Sequence, residues 1–262
     1  MRTIKLWEKE IPYFKEEADT PNTMDFYAVP TWHPLPVIVV FPGGGYNHRA
    51  HHEGEAIAEF YNAHGFHACV VNYRVKPNGY PAPLADAQRA VKILRARCKD
   101  YKVDPDRIYT IGFSAGSHLA AYEAMAEDCA MYGDDADEAS CVPNGVILSY
   151  PMLSPERVDG ICARGGFTNM LPDGEVDTEE KYIPENLITE NAPPHFIWIT
   201  SGDRTTAPTF ALRYAARLCE NHVPNEFHMF PGGKHGMGLA QAEQAISQWA
   251  ELSVRWLQRE CK

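Results

Sequence analysis

Three short stretches carry side chains that could do chemistry together. In Gly112-Phe113-Ser114-Ala115-Gly116 a serine stands between two glycines. In Ser201-Gly202-Asp203-Arg204 an aspartate follows an apolar run, and in Pro231-Gly232-Gly233-Lys234-His235-Gly236-Met237-Gly238 a histidine sits among four glycines. A serine hydroxyl is a poor nucleophile until a base removes its proton. An imidazole serves as that base when an acceptor on its second nitrogen fixes its tautomer and steadies the imidazolium. Ser114 as nucleophile, His235 as base and Asp203 as orienter would fill the three roles.

A fourth stretch, Phe41-Pro42-Gly43-Gly44-Gly45-Tyr46, could receive the charge such an attack creates. Consecutive glycines let backbone N–H groups approach a ligand closely. The N–H groups of Gly44, Gly45 and Ala115 are therefore the expected oxyanion donors, and Tyr46 a surface for substrate, with Trp32 a second stacking candidate. Each residue also has a plainer role open to it. Ser114 and Asp203 would both suit the N-cap of a following helix, and Tyr46 could simply pack the loop. Of eleven histidines, His118 lies one turn past Ser114 and competes for the role of base, whereas His222 and His228 end a helix and sit in a strand. His48, His51 and His52 cluster near Arg49, but without a ligand spacing that matches a known metal site, so no metal is expected.

These residues need elements to hold them. Short runs rich in β-branched residues at 37–41, 67–73, 107–111, 146–150, 196–200 and 225–230 read as strands buried on both faces. Amphipathic stretches at 53–64, 84–101, 115–127, 208–221 and 239–259 read as helices between them. Strand–helix alternation implies parallel crossovers and an α/β sheet. Residues 2–8 and 23–29 read as two further strands at one edge, forming an antiparallel pair. Ser114, Asp203 and His235 each follow a strand, so all three fall at the carboxyl end of the sheet, where open α/β sheets build their sites. The stretch 151–194 is rich in proline and glycine and lacks periodicity. A connection that long is usually functional, and it reads as a lid or substrate-shaping insertion.

Bulk properties narrow the field. A chain of 262 residues fits a single domain, 1–262, with 45% hydrophobic and 23% charged residues. A net charge of −11 disfavours nucleic acid and anionic lipid as partners. Seven cysteines, an odd count with no CxxC, read as free thiols in a reducing, cytoplasmic compartment. The charged N-terminus has no apolar core of the kind that targets a chain for export. Oligomeric state leaves no trace in the sequence.

The glycine run, the VNYRV stretch at 71–75, PAPLADAQRAVKILR at 81–95, VDPDRIYTIGFSAGSHLAA at 103–121, FIWITSGD at 196–203 and HMFPGGKHGMGLA at 228–240 together resemble bacterial α/β-hydrolase esterases related to acetyl-xylan and feruloyl esterases. The resemblance implies an α/β-hydrolase fold: a mostly parallel central sheet with helices on both faces and a small lid-like insertion. It implies hydrolysis of short carboxylic esters, commonly acetyl groups on plant-derived sugars, with neither metal nor cofactor. Feruloyl and other small esters, or a binding protein without catalysis on the same fold, are the alternatives. Two departures stand out: Arg204-Thr205-Thr206-Ala207-Pro208 replaces a small run ending in Val-Pro, and Ser117 stands where a second glycine is common.

Overall fold

The computed structural model describes residues 1–15, 22–171 and 179–260. Its centre is an eight-stranded sheet: β1 (Arg2–Lys5), β2 (Thr23–Tyr27), β3 (Leu35–Phe41), β4 (His67–Asn72), β5 (Val103–Phe113), β6 (Gly145–Ser149), β9 (His195–Thr200) and β10 (Asn225–Phe230). The spatial order is β1-β2-β4-β3-β5-β6-β9-β10. From β4 to β10 every pairing is parallel, whereas β1–β2 and β2–β4 are antiparallel. Val37 to Phe41 are fully buried, as a strand covered on both faces must be.

Helices α1 (Glu55–Ala63) and α7 (Gln248–Glu260) cover one face and are joined by a hydrogen bond of 2.8 Å between Tyr61 and Ser253. On the other face α2 (Ala82–Ala96) and α4 (Ala115–Glu123) pack on β5 and on each other, and α6 (Pro208–Glu220) lies over β9 and β10. The buried Arg74–Asp86 pair, closed at 2.8 Å, also takes the Trp7 indole N–H at 2.7 Å and so ties the N-terminal segment to α2. Arg74 is thus a structural residue. No helix among the described residues is long and apolar enough to cross a membrane.

Two predicted helices differ from what forms. The stretch 84–101 breaks at Arg97 into α2 and the single turn α3 (Cys98–Tyr101). The final helix starts at Gln248, not near residue 239, because Gly238 and Ala240 both take positive φ (53° and 52°) and turn the chain away from helix. The 151–194 region has more structure than its composition suggests. A small hairpin, β7 (Arg157–Val158) and β8 (Ile161–Cys162), leads into α5 (Arg164–Met170), and 3-10 turns follow at Glu179–Tyr182 and Pro184–Leu187. Residues 172–178, including Pro172 and Gly174, lie outside the described residues.

Candidate active site

The turn between β5 and α4 places Ser114 at φ 53°, ψ −114°, a region that costs a non-glycine residue energy and persists only where the surroundings impose it. Those surroundings are tight. A Cβ on Gly112 would lie 2.1 Å from the Gly116 carbonyl oxygen, and one on Gly116 would lie 2.0 Å from that of Phe41. The Ser114 N–H donates to the Ser149 carbonyl at 3.0 Å. Ser117 is fully buried beneath the turn. Its hydroxyl donates toward the Gly112 and Ser149 carbonyls and accepts the Ser149 N–H at 2.9 Å, so it braces the turn from below. As a cap the Ser114 side chain does nothing: it makes no hydrogen bond to the helix it precedes.

Instead, Ser114 Oγ lies 2.8 Å from His235 Nε2, and His235 Nδ1 lies 2.7 Å from Asp203 Oδ2. Three residues separated by up to 121 positions in sequence therefore form one hydrogen-bonded chain. Asp203 is buried, and Oδ1 accepts the N–H groups of Thr205 and Thr206 at 2.8 and 2.9 Å. Burial opposes ionisation of Asp203, but the hydrogen bond and charge of His235, together with these two N–H groups, outweigh it and hold the carboxyl below the usual carboxylate range. The Thr206 hydroxyl adds a contact of 3.1 Å to Oδ2. The run 204–208, unusual beside the family pattern, thus provides the acid with its partners.

The glycine loop comes next to the serine. Gly43 N–H is already taken, at 2.8 Å, by Oε2 of the buried Glu53. Among the described residues no protein acceptor takes the N–H of Gly44, Gly45 or Ala115. Helix α5 walls the loop: Asn169 Nδ2 donates to the Gly45 carbonyl at 2.8 Å, and Met152 N–H donates to the Ser114 carbonyl at 3.1 Å. The first part of the 151–194 stretch is therefore fastened to both the serine and the glycine loop. A cavity of about 360 Å³ opens over Ser114 and His235, walled by Gly44, Gly45, Met152 and Gly166.

Two sequence expectations are corrected by position. Tyr46 is fully buried and cannot face a substrate. Its hydroxyl lies 2.7 Å from His118 Nδ1 and 3.2 Å from the Tyr80 hydroxyl. Trp32 is 94% exposed but lies beside Lys102, at the amino ends of β3 and β5 and so across the sheet from the serine. His118, the rival base, is fully buried with both nitrogens engaged, Nε2 lying 2.7 Å from the Tyr182 carbonyl; burial pushes its pKa down to about 4. His228 pairs with Glu226 at 2.7 Å. Glu53 and Tyr150 were not legible as site residues, since an acid opening a helix and a tyrosine ending a strand carry no local motif.

A sheet that is parallel from β4 onward, with a serine at a strained strand–helix turn, defines an α/β-hydrolase. The BD-FAE family model matches residues 24–212, and the chain belongs to that family. The acetyl ester-xyloside bifunctional hydrolase of Caldicellulosiruptor lactoaceticus superposes with a TM-score of 0.91 at 35% identity, covering 98% of this chain and 96% of that one. Endo-1,4-beta-xylanase B of Butyrivibrio fibrisolvens is 33% identical over 81% of this chain and 34% of its own length. Acetylxylan esterase of Xylanibacter ruminicola is 27% identical over 84% and 45%. The chain thus spans between a third and a half of the length of these two curated relatives.

Proposed function

We propose that this protein is a serine esterase that removes short acyl groups, acetyl first among them, from carbohydrate of the xylan type. The observation that carries the reading is the Ser114–His235–Asp203 chain, with distances of 2.8 and 2.7 Å, opening onto a cavity edged by unengaged N–H groups. The substrate class is supported by the names of the relatives, two of which are described as acting on acetyl esters.

In this mechanism Ser114 Oγ attacks the ester carbonyl while His235 Nε2 takes its proton. The carbonyl π pair moves onto oxygen, where the N–H groups of Gly44, Gly45 and Ala115 receive it. Asp203 holds the imidazolium in place. Collapse of the intermediate expels the alcohol, protonated by His235, and leaves an acyl-enzyme. Water then attacks that acyl group, giving its proton to His235, and collapse returns Ser114 and releases the carboxylic acid. We take the cytoplasm as the site of action, on the strength of six unpaired thiols among the described residues; recovery of the protein from the medium would overturn that part.

The test is hydrolysis of p-nitrophenyl esters from acetyl to long acyl chains, beside acetylated xylo-oligosaccharides, with Ser114→Ala as control. Fast acetyl cleavage and acetate release from the sugars, both absent in the variant, are expected. Retained activity in Ser114→Ala would overturn the nucleophile. Sugars left acetylated, or preference for feruloyl esters, would overturn the substrate class alone.

A further inference from the structure

The histidine loop and the glycine loop are far apart in sequence, yet the reaction requires their positions to agree within a fraction of an ångström. A buried path of hydrogen bonds joins them. Glu53, in the 3-10 turn His51–Glu53, is only 2% exposed. A buried carboxyl is costly unless hydrogen-bonded, and both oxygens of this one are. Oε2 accepts Gly43 N–H at 2.8 Å, and Oε1 accepts the Tyr150 hydroxyl at 2.5 Å. The Tyr150 oxygen in turn accepts Gly238 N–H at 2.9 Å, three residues past His235.

Tyr150 is placed for this work. It sits at φ 38° directly after β6, a backbone conformation rare for a bulky residue. Its ring stands edge-on to the His235 imidazole, with centroids 5.0 Å apart, and its carbonyl lies 3.3 Å from the Thr206 hydroxyl beside Asp203. The side chain therefore touches the histidine loop and Glu53 while its backbone reaches the acid loop. Burial, reinforced by Glu53, keeps the phenol protonated, so Tyr150 donates to Glu53 while the two backbone N–H groups donate at either end of the path. Glu53 also determines which glycine N–H groups are available: with Gly43 engaged, Gly44 and Gly45 are the ones that can turn to a ligand.

We infer that Glu53 and Tyr150 are positioning residues, a carboxyl–phenol pair that holds the glycine loop and the histidine loop in register for acyl transfer. The inference rests on the esterase reading. It is tested with Tyr150→Phe, Glu53→Gln and the double variant, measuring kcat and KM on p-nitrophenyl acetate, with concentration set by folded protein. Tyr150→Phe keeps the ring but takes the hydroxyl from Gly238 N–H and from Glu53 Oε1, which keeps only His52 Nε2 at 3.6 Å. Its kcat should fall by about tenfold or more at nearly constant KM, since small misplacements of catalytic groups are expensive. Glu53→Gln can still accept from Gly43 and should lose less. The double variant should lose little more than Tyr150→Phe alone, because both changes break the same path.

A lowered Tm with unchanged kcat would make the pair a structural clamp and overturn the inference. A raised KM at constant kcat would place the pair in substrate binding and overturn it equally, as would independent, multiplying losses. If Tyr150→Phe does not fold, Glu53→Gln decides by the same split. A wild-type protein inactive on every ester would sink the esterase reading and this inference with it, whereas an active wild type matched by its variants would sink only the inference.

Discussion

The region around His235 and the region around His118 are built from similar parts and end in opposite states. The His235 imidazole meets Ser114 just before α4, the His118 imidazole extends from α4 one turn later, and both bridge a hydroxyl and an oxygen acceptor. His235 joins Ser114 to the carboxylate of Asp203, and its side chain keeps 17% of its surface exposed beside an open cavity. His118 joins Tyr46 to the neutral carbonyl of Tyr182 and has no exposed surface. Behind His235 stands a carboxylate that would stabilise an imidazolium; around His118, among the described residues, lie tyrosines and Phe167, and burial lowers its pKa. On the proposed mechanism, what would fit His235 and not His118 for the base is less the imidazole than a carboxylate on one side and room for a reacting atom on the other.

The sharpest way to break this comparison is to remove each ring in turn. His235→Ala should lower kcat on p-nitrophenyl acetate by on the order of a millionfold, with circular dichroism unchanged. Asp203→Asn should cost about 10⁴-fold, because the amide favours the wrong imidazole tautomer. His118→Phe should stay within about tenfold of wild-type kcat while denaturant unfolding registers a loss of about 1–3 kcal/mol, the cost of losing the ring's two buried hydrogen bonds, to the Tyr46 hydroxyl and the Tyr182 carbonyl. A collapse of kcat there, with the fold intact, would erase the distinction.

Acid titration sharpens it further. Burial lowers the pKa of His118, and likewise that of His195, from 6.5 to about 4. Between those values the unfolded chain binds protons that the folded chain refuses, so stability is full above about 6.5 and declines as pH falls toward about 4. Thermal melts across that window should show the decline in Ser114→Ala as in wild type, and a smaller decline in His118→Phe. An unchanged slope in His118→Phe would show that this ring titrates normally.

Much of this arrangement could be read before any coordinates. Apolar runs bounded by glycine and proline marked β3, β4, β5, β6, β9 and β10 but not the short hairpin β7–β8, and glycines at each strand end marked the loops that carry Ser114 and His235. What could not be read shares one physical trait: it depends on which way a side chain turns after the backbone is placed. Tyr46 after three glycines reads as a ligand surface, but its ring turns inward to His118. Glu53 reads as the first residue of a helix, but its carboxyl turns back to Gly43. The stretch 239–247 has the composition of a helix, and two positive φ angles at its entrance prevent one.

The crowding around the elbow glycines has a consequence for how such a protein can change. A single added methyl group at Gly112 or Gly116 collides with backbone that has nowhere to go, so the turn beneath Ser114 admits almost no variation. Gly165, which lines the active-site cavity, meets no atom beyond its chain neighbours and its own helix backbone, among the described residues, within 4 Å of where a side chain would begin. Variation is therefore channelled: chemistry is frozen at the turn, while the shape of what it acts on can drift, one residue at a time, on α5. A lineage exploring new esters, or an engineer grafting a new acyl preference, would find its freedom there.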